Sequence, residues 1–188
     1  MTKKQILTLA QASVLTALIL LLTFVPSLGY INIGLLSITT IHIPVIVGAC
    51  LMGPFAGMLL GSVWGISSWV YAMINPAVPS ALLFMDPLIS VLPRIIVGLV
   101  AGFLFIWFEK LTQKLPLRCL LTAICATLTN TVLVLSGIIF LAHPLSELGN
   151  AFKVFVTAAL AINVPVEIVS ACIITIGAVT AIKKAKLA

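Results

Sequence analysis

Residues 53–65 read GPFAGMLLGSVWG, with glycine at positions 53, 57, 61 and 65. In a helix, a spacing of four draws one bare stripe down a single face. Each interior glycine costs about 1 kcal/mol against alanine in a water-soluble helix. A chain that keeps the stripe has a use for it, and the solvent decides which use. Lipid tails are as apolar as leucine, so burying leucine does not join helices in a bilayer. Small residues do, by letting backbones approach. Gly57, Gly61 and Gly65 are therefore expected to press against another helix. Gly98 and Gly102 repeat the device later in the chain.

The composition names the same solvent. Of 188 residues, 62% are hydrophobic and only 7% charged, with a mean hydropathy of +1.33. A soluble domain carries about 25% charged residues, so this chain cannot cover a water-facing surface. Lipid offers the backbone no hydrogen bonds, which leaves helices or a closed barrel as spanning structures. Long uninterrupted apolar runs select helices over alternating strands. The expected fold is an all-α integral membrane protein, with residues 1–188 as a single membrane domain.

Six apolar runs stand out: residues 6–25, a shorter one at 39–52, then 55–74, 88–108, 119–141 and 154–182. They predict a bundle of six transmembrane helices with both termini on one side. The first run follows a basic start, lacks a cleavage pattern and reads as a retained span. Lys3, Lys4, Lys110, Lys114, Arg118, Lys183, Lys184 and Lys186 all fall on the side of the termini. The positive-inside rule makes that side cytoplasmic. The net charge of +6 therefore caps membrane spans and forms no basic face for nucleic acid. Cys50, Cys119, Cys125 and Cys172 lie in apolar stretches without metal-ligand spacing and read as small core residues.

Several chemistries are excluded by what is missing. The chain has no GxxxxGK[ST] phosphate loop, no HExxH zinc site and no GxSxG elbow. Its two histidines, His42 and His143, are not paired at metal spacing, and four acids leave little material for acid–base work. No enzyme activity, cofactor or metal is expected.

Ionisable and polar groups inside spans are costly and mark function. Arg94 lies about two turns into the fourth run, in DPLISVLPRIIVG. Glu167 lies in the sixth, with Asn163 one turn before it on the same face. Asn130 is central in the fifth run, and His42 is near the outer end of the second. All fall in the outer half or the middle of the bundle, which suggests a pocket open to the outside. Arg94 offers a planar fork suited to a carboxylate. Asn130, Asn163 and His42 can hydrogen-bond hydroxyl or amide groups. Two arrangements are open for Glu167: it neutralises Arg94 between helices, or it positions Arg94 for a ligand. Trp64 either walls the pocket or packs. Trp69 and Tyr71 read as interface anchors, and Trp107 and Phe108 as markers of the inner interface. The stretch GYINIG, residues 29–34, offers Tyr30 and Asn32 and is expected to close over a ligand, facing the 77–82 loop. The first span carries no pocket residues. Its weaker small-residue face of Ser13 and Ala17, flanked by Ala12 and Thr16, is left for a partner protein.

The strings ITTIHIPVIVGACLMGPFAGMLLGSVWGISSW and MDPLISVLPRIIVGLVAG resemble the substrate-binding S component of energy-coupling factor (ECF) transporters, most closely its pantothenate-type member. The resemblance covers essentially the whole chain. It implies six membrane helices and capture of a vitamin from outside. It also implies docking onto a membrane T component that carries two ATP-binding-cassette ATPases, followed by toppling in the membrane. The docking face of the family maps onto Ser13 and Ala17. The family pattern there is alanine–xxx–alanine, and this chain has serine first. One buried arginine and a few asparagines match the single carboxylate, amide and two hydroxyls of pantothenate. Riboflavin asks for more aromatic wall, folate for more cation, and pyridoxine leaves Arg94 idle. A small ion-coupled secondary transporter is the competing class. It would use Glu167 as its ion site, but the two halves of the chain show no repeat. A membrane scaffold without a ligand is a third class.

Overall fold

The computed structural model describes residues 2–25, 28–33, 36–76, 84–141 and 162–187. Helix α1 spans Lys3–Phe24 and opens on a capping box in which Thr2 and Gln5 satisfy each other's backbone N–H groups. Strands β1 (Tyr30–Ile33) and β2 (Leu36–Thr39) form an antiparallel hairpin in which Tyr30 faces Thr39. Helix α2 spans His42–Met52 and α3 spans Pro54–Ile74. Between them Gly53 adopts φ 95°, a left-handed conformation that favours glycine. Pro54 then fits the first turn of α3. The short α4 (Pro87–Ser90), capped by the Asp86 carboxylate on Leu88 N, leads into α5 (Leu92–Leu111). Helices α6 (Leu115–Leu141) and α7 (Val164–Leu187) follow.

Five segments among the described residues are long and apolar enough to cross a membrane: Gln5–Phe24, Pro54–Ile74, Pro87–Leu111, Leu115–Ile138 and Val164–Ala185. The protein is thus a multi-pass membrane helix bundle. The run at 39–52 departs from the expected span. Thr39 ends a strand, and the helix that follows has 11 residues. At 1.5 Å per residue it covers about 16 Å, roughly half of a 30 Å hydrocarbon core. Every residue from His42 to Cys50 is buried, and α2 touches α1, α3, α5, α6 and α7. It is apolar all round because it is surrounded by protein. The stretch after the first run, expected to close over a ligand at residues 29–34, contains a paired hairpin of residues 30–33 and 36–39. Of the sixth run, residues 154–161 lie outside the described residues, as do 77–83, His143 and Lys153.

The glycine stripe sits at the seam between α3 and α5, the most extensive helix pair in the bundle. A Cβ on Gly57 would strike the Gly98 carbonyl, and one on Gly98 would strike Gly57. A Cβ on Gly61 would strike the Arg94 carbonyl, and one on Gly65 would stand 2.8 Å from the Val91 Cα. Gly102 meets Gly53 and Pro54 at the far end. The two helices run antiparallel in backbone contact, the close approach that joins helices in lipid.

Candidate functional site

The seam positions the site. Gly61 and Gly65 bring α3 against the start of α5, so Trp64 between them meets Arg94. The Arg94 guanidinium lies 5.1 Å from the Trp64 ring centroid and 4.7 Å from that of Phe84. Arg94 is 5% exposed and Trp64 is fully buried. The neighbouring proline explains the backbone around them. Pro93 has no N–H to donate to the carbonyl four residues earlier. That carbonyl, of Ile89, accepts a 2.7 Å hydrogen bond from Arg94 Nη1. One arginine donor is thus held, and Nε is buried without a protein partner among the described residues.

His42 opens α2 and tilts against Trp64 at 6.3 Å between ring centroids. It is fully buried, and neither ring nitrogen reaches hydrogen-bond geometry with a described protein group. The Trp64 indole N–H likewise lies near Tyr30 without reaching such geometry. Tyr30 stacks on Tyr71 at 5.2 Å, and its hydroxyl is 2.8 Å from Ser68 Oγ. Tyr71 therefore faces the hairpin instead of serving only as an interface anchor. Trp69 donates its Nε1–H to the Met85 carbonyl at 2.9 Å. Asn32 lies in β1 opposite Ser37, and its side chain is outside the described residues.

Glu167 makes no ion-pair contact with Arg94 and instead meets a backbone group. Its Oε1 accepts the Thr39 backbone N–H at 2.7 Å. It is close enough to Arg94 to interact through space. Even so, Arg118–Glu109, at 2.9 Å, is the one ion pair among the described residues. The hairpin geometry accounts for the bond to Thr39. Thr40 N donates to the Gly29 carbonyl at 3.1 Å, so the adjacent Thr39 N–H points away from β1. Its partner must come from outside the sheet, and Glu167 supplies it. The base of the hairpin is pinned twice, by Tyr30 to α3 and by Thr39 to α7.

Asn163 is half-buried in a π-helical turn one turn before Glu167. Asn130 is 9% exposed, and its Oδ1 has no partner among the described residues. It precedes Val134 and Ile138 by one and two turns, and those two pack on Ile89 with Phe84. Asn130 therefore continues the α6 face directed at the Arg94 region. Arg94, Trp64, His42 and Tyr30 come together around one buried zone, with Glu167 at its hairpin edge. Sequence reasoning passed over Ser68, Thr39 and the Ile89 carbonyl. Only the last left a signal, a proline four residues later.

The latch on Thr39 has a measurable consequence. Glu167→Ala should speed amide hydrogen exchange at Thr39 about tenfold or more, because an unpaired buried N–H costs about 1–3 kcal/mol. Glu167→Gln keeps an acceptor oxygen and should stay close to the parent protein. An unchanged Thr39 exchange rate in the alanine variant would remove the latch.

The helices form a membrane bundle that buries a polar zone around Arg94, His42 and Tyr30. Residues 7–181 match the model of a family described as ECF transporter, substrate-specific component. The chain belongs to that family. It is 33% identical over 162 residues to the pantothenic acid transporter PanT of Lactococcus lactis subsp. cremoris, covering 79% of each chain. It is 36% identical over 93 residues to the pantothenate transporter PanT of Leuconostoc mesenteroides, covering 47% of this chain and 46% of that one. The family is a class of transporter components and not of enzymes.

Proposed function

We propose that this chain captures pantothenate from outside the cell and delivers it through a T component driven by two ATPases. The observation that carries the reading is Arg94. It is a buried guanidinium between two aromatic rings, tied to one carbonyl, with Nε unpartnered and no carboxylate in ion-pair contact among the described residues. A buried cation of this kind calls for an anion, and pantothenate brings one carboxylate. The names of the two relatives support the same substrate. His42, Trp64, Tyr30, Asn130, Asn163 and Asn32 are then the groups that meet its amide, hydroxyls and carbon chain, with Glu167 at the edge. The hairpin and α2 together make the second of six crossings, and the lysine-rich end with both termini faces the cytoplasm. Isothermal titration of the purified protein against pantothenate, riboflavin, folate and pyridoxine tests the substrate. Tight binding of pantothenate alone is expected, and preference for any other vitamin would overturn the assignment.

The partner face is assigned to α1. Ser13 and Ala17 are exposed, Ala12 and Thr16 half-buried, and Leu9 and Leu21 extend the exposed row. The Ser13 hydroxyl is bonded to the Leu9 carbonyl at 2.9 Å, which hides its polarity and leaves a small contact surface. Ala17→Trp should bind vitamin normally and fail to co-purify with a T component, because a bulky side chain holds backbones apart. Normal co-purification and uptake would move the docking face to another helix.

A further inference from the structure

We infer that the end of the bundle formed by α5, α6 and α7 holds the phosphate of an anionic phospholipid. Two cations from different helices converge there on one buried ring. Arg118 Cζ lies 4.4 Å and Lys183 Nζ 4.8 Å from the centroid of Phe105. Arg118 is 6% exposed, and its Nε is buried without a partner among the described residues. Its Nη1 reaches Glu109 Oε1 at 2.9 Å, but the Glu109 side chain is 56% exposed. One largely solvated carboxylate thus faces two cations. Arg118 also sits in the first turn of α6, where the helix dipole adds positive potential. Lys110 in the last turn of α5, Lys114 in the turn before α6 and Lys184 beside Lys183 lie within a few residues of Glu109, Arg118 and Lys183 in sequence. The local charge is uncompensated, and an oxyanion is the chemistry that completes it.

A lipid supplies that oxyanion better than a free ion does. The exposed stripe of α5 runs through Phe103, Ile106 and Trp107 up to this end. It offers acyl chains a bed directly beside the cations. Basic pockets between membrane helices are a recurrent seat for acidic headgroups. The inference stands on this end of the bundle alone and does not depend on the vitamin reading.

Native mass spectrometry of the full chain, extracted from vesicles containing phosphatidylglycerol and phosphatidylcholine, tests it. The parent protein should retain phosphatidylglycerol selectively. Arg118→Gln with Lys183→Gln should lower that selectivity about tenfold or more. Lys3→Gln with Lys4→Gln, which removes equal charge elsewhere, should preserve it. Lys183→Gln alone, at a half-buried position near the end of α7, should show a partial loss and covers the case in which the double variant does not fold. Equal retention of both lipids, retained selectivity in the Lys183 and double variants, or equal loss in the Lys3/Lys4 control would each overturn the site. Inorganic phosphate at matched ionic strength should not displace the lipid. Displacement by phosphate would show a free-anion site and refute the lipid.

Discussion

Replacing Arg94 with alanine should weaken pantothenate binding by about 2–5 kcal/mol, roughly thirtyfold to several thousandfold. The guanidinium is enclosed by Trp64 and Phe84, so a carboxylate reaching it is shielded from water and the attraction is strong. Part of the loss is the carboxylate left unpaired in the variant. Arg94→Lys keeps the charge but loses the planar fork. It also loses the geometry that lets Nη1 hold the Ile89 carbonyl while other donors stay available. It should fall between the parent and the alanine variant. Titration calorimetry reads both, with circular dichroism to establish that each variant is folded. Unchanged affinity in folded Arg94→Ala would refute the role.

The second large effect should come from the seam. Gly98→Leu places a side chain where the Gly57 backbone already stands, and neither backbone can yield as a flexible side chain would. Overpacking of ordinary cores costs about 1–3 kcal/mol, and this site should meet or exceed the upper figure. In a domain of this size that corresponds to a fall in Tm of about 10 °C. Gly177→Leu is the matched control. Nothing lies within 4 Å of a Cβ built there, so its Tm should stay near that of the parent. Thermal unfolding in detergent measures both. A Gly98→Leu protein as stable as the parent would mean that the α3–α5 contact does not hold the bundle together.

The seam and the site differ in how far they could be read from the residues. Glycine at a spacing of four has few uses in lipid, so the α3–α5 contact was legible from residue type and interval alone. Arg94 was legible because a cation inside an apolar run is costly. The hairpin was harder to see. Residues 30–33 and 36–39 do alternate, with Ile31, Ile33, Leu36 and Ile38 against Tyr30, Asn32, Ser37 and Thr39. That period of two marks a strand. Next to long apolar runs it passed for a polar loop. Helix α2 ends where the run at 39–52 ends but starts three residues later, because Thr39 closes the hairpin. The role of Glu167 could not be read at all. Its partner is a backbone N–H, which every residue but proline carries, so no side-chain pattern announces it. The Ile89 carbonyl is the intermediate case: proline at 93 followed by arginine at 94 frees an acceptor and places a donor beside it.

The enclosure of α2 separates two demands that most membrane helices must meet at once. A helix on the perimeter has to suit the acyl chains on one side and the protein on the other. With His42 through Cys50 buried, α2 answers to the interior alone, and the annulus of lipid is set by the helices around it. Changes at His42 or beside Trp64 can therefore alter the packed interior without altering the outline that the bilayer meets. In such a body, the interior and the membrane fit can evolve on separate residues.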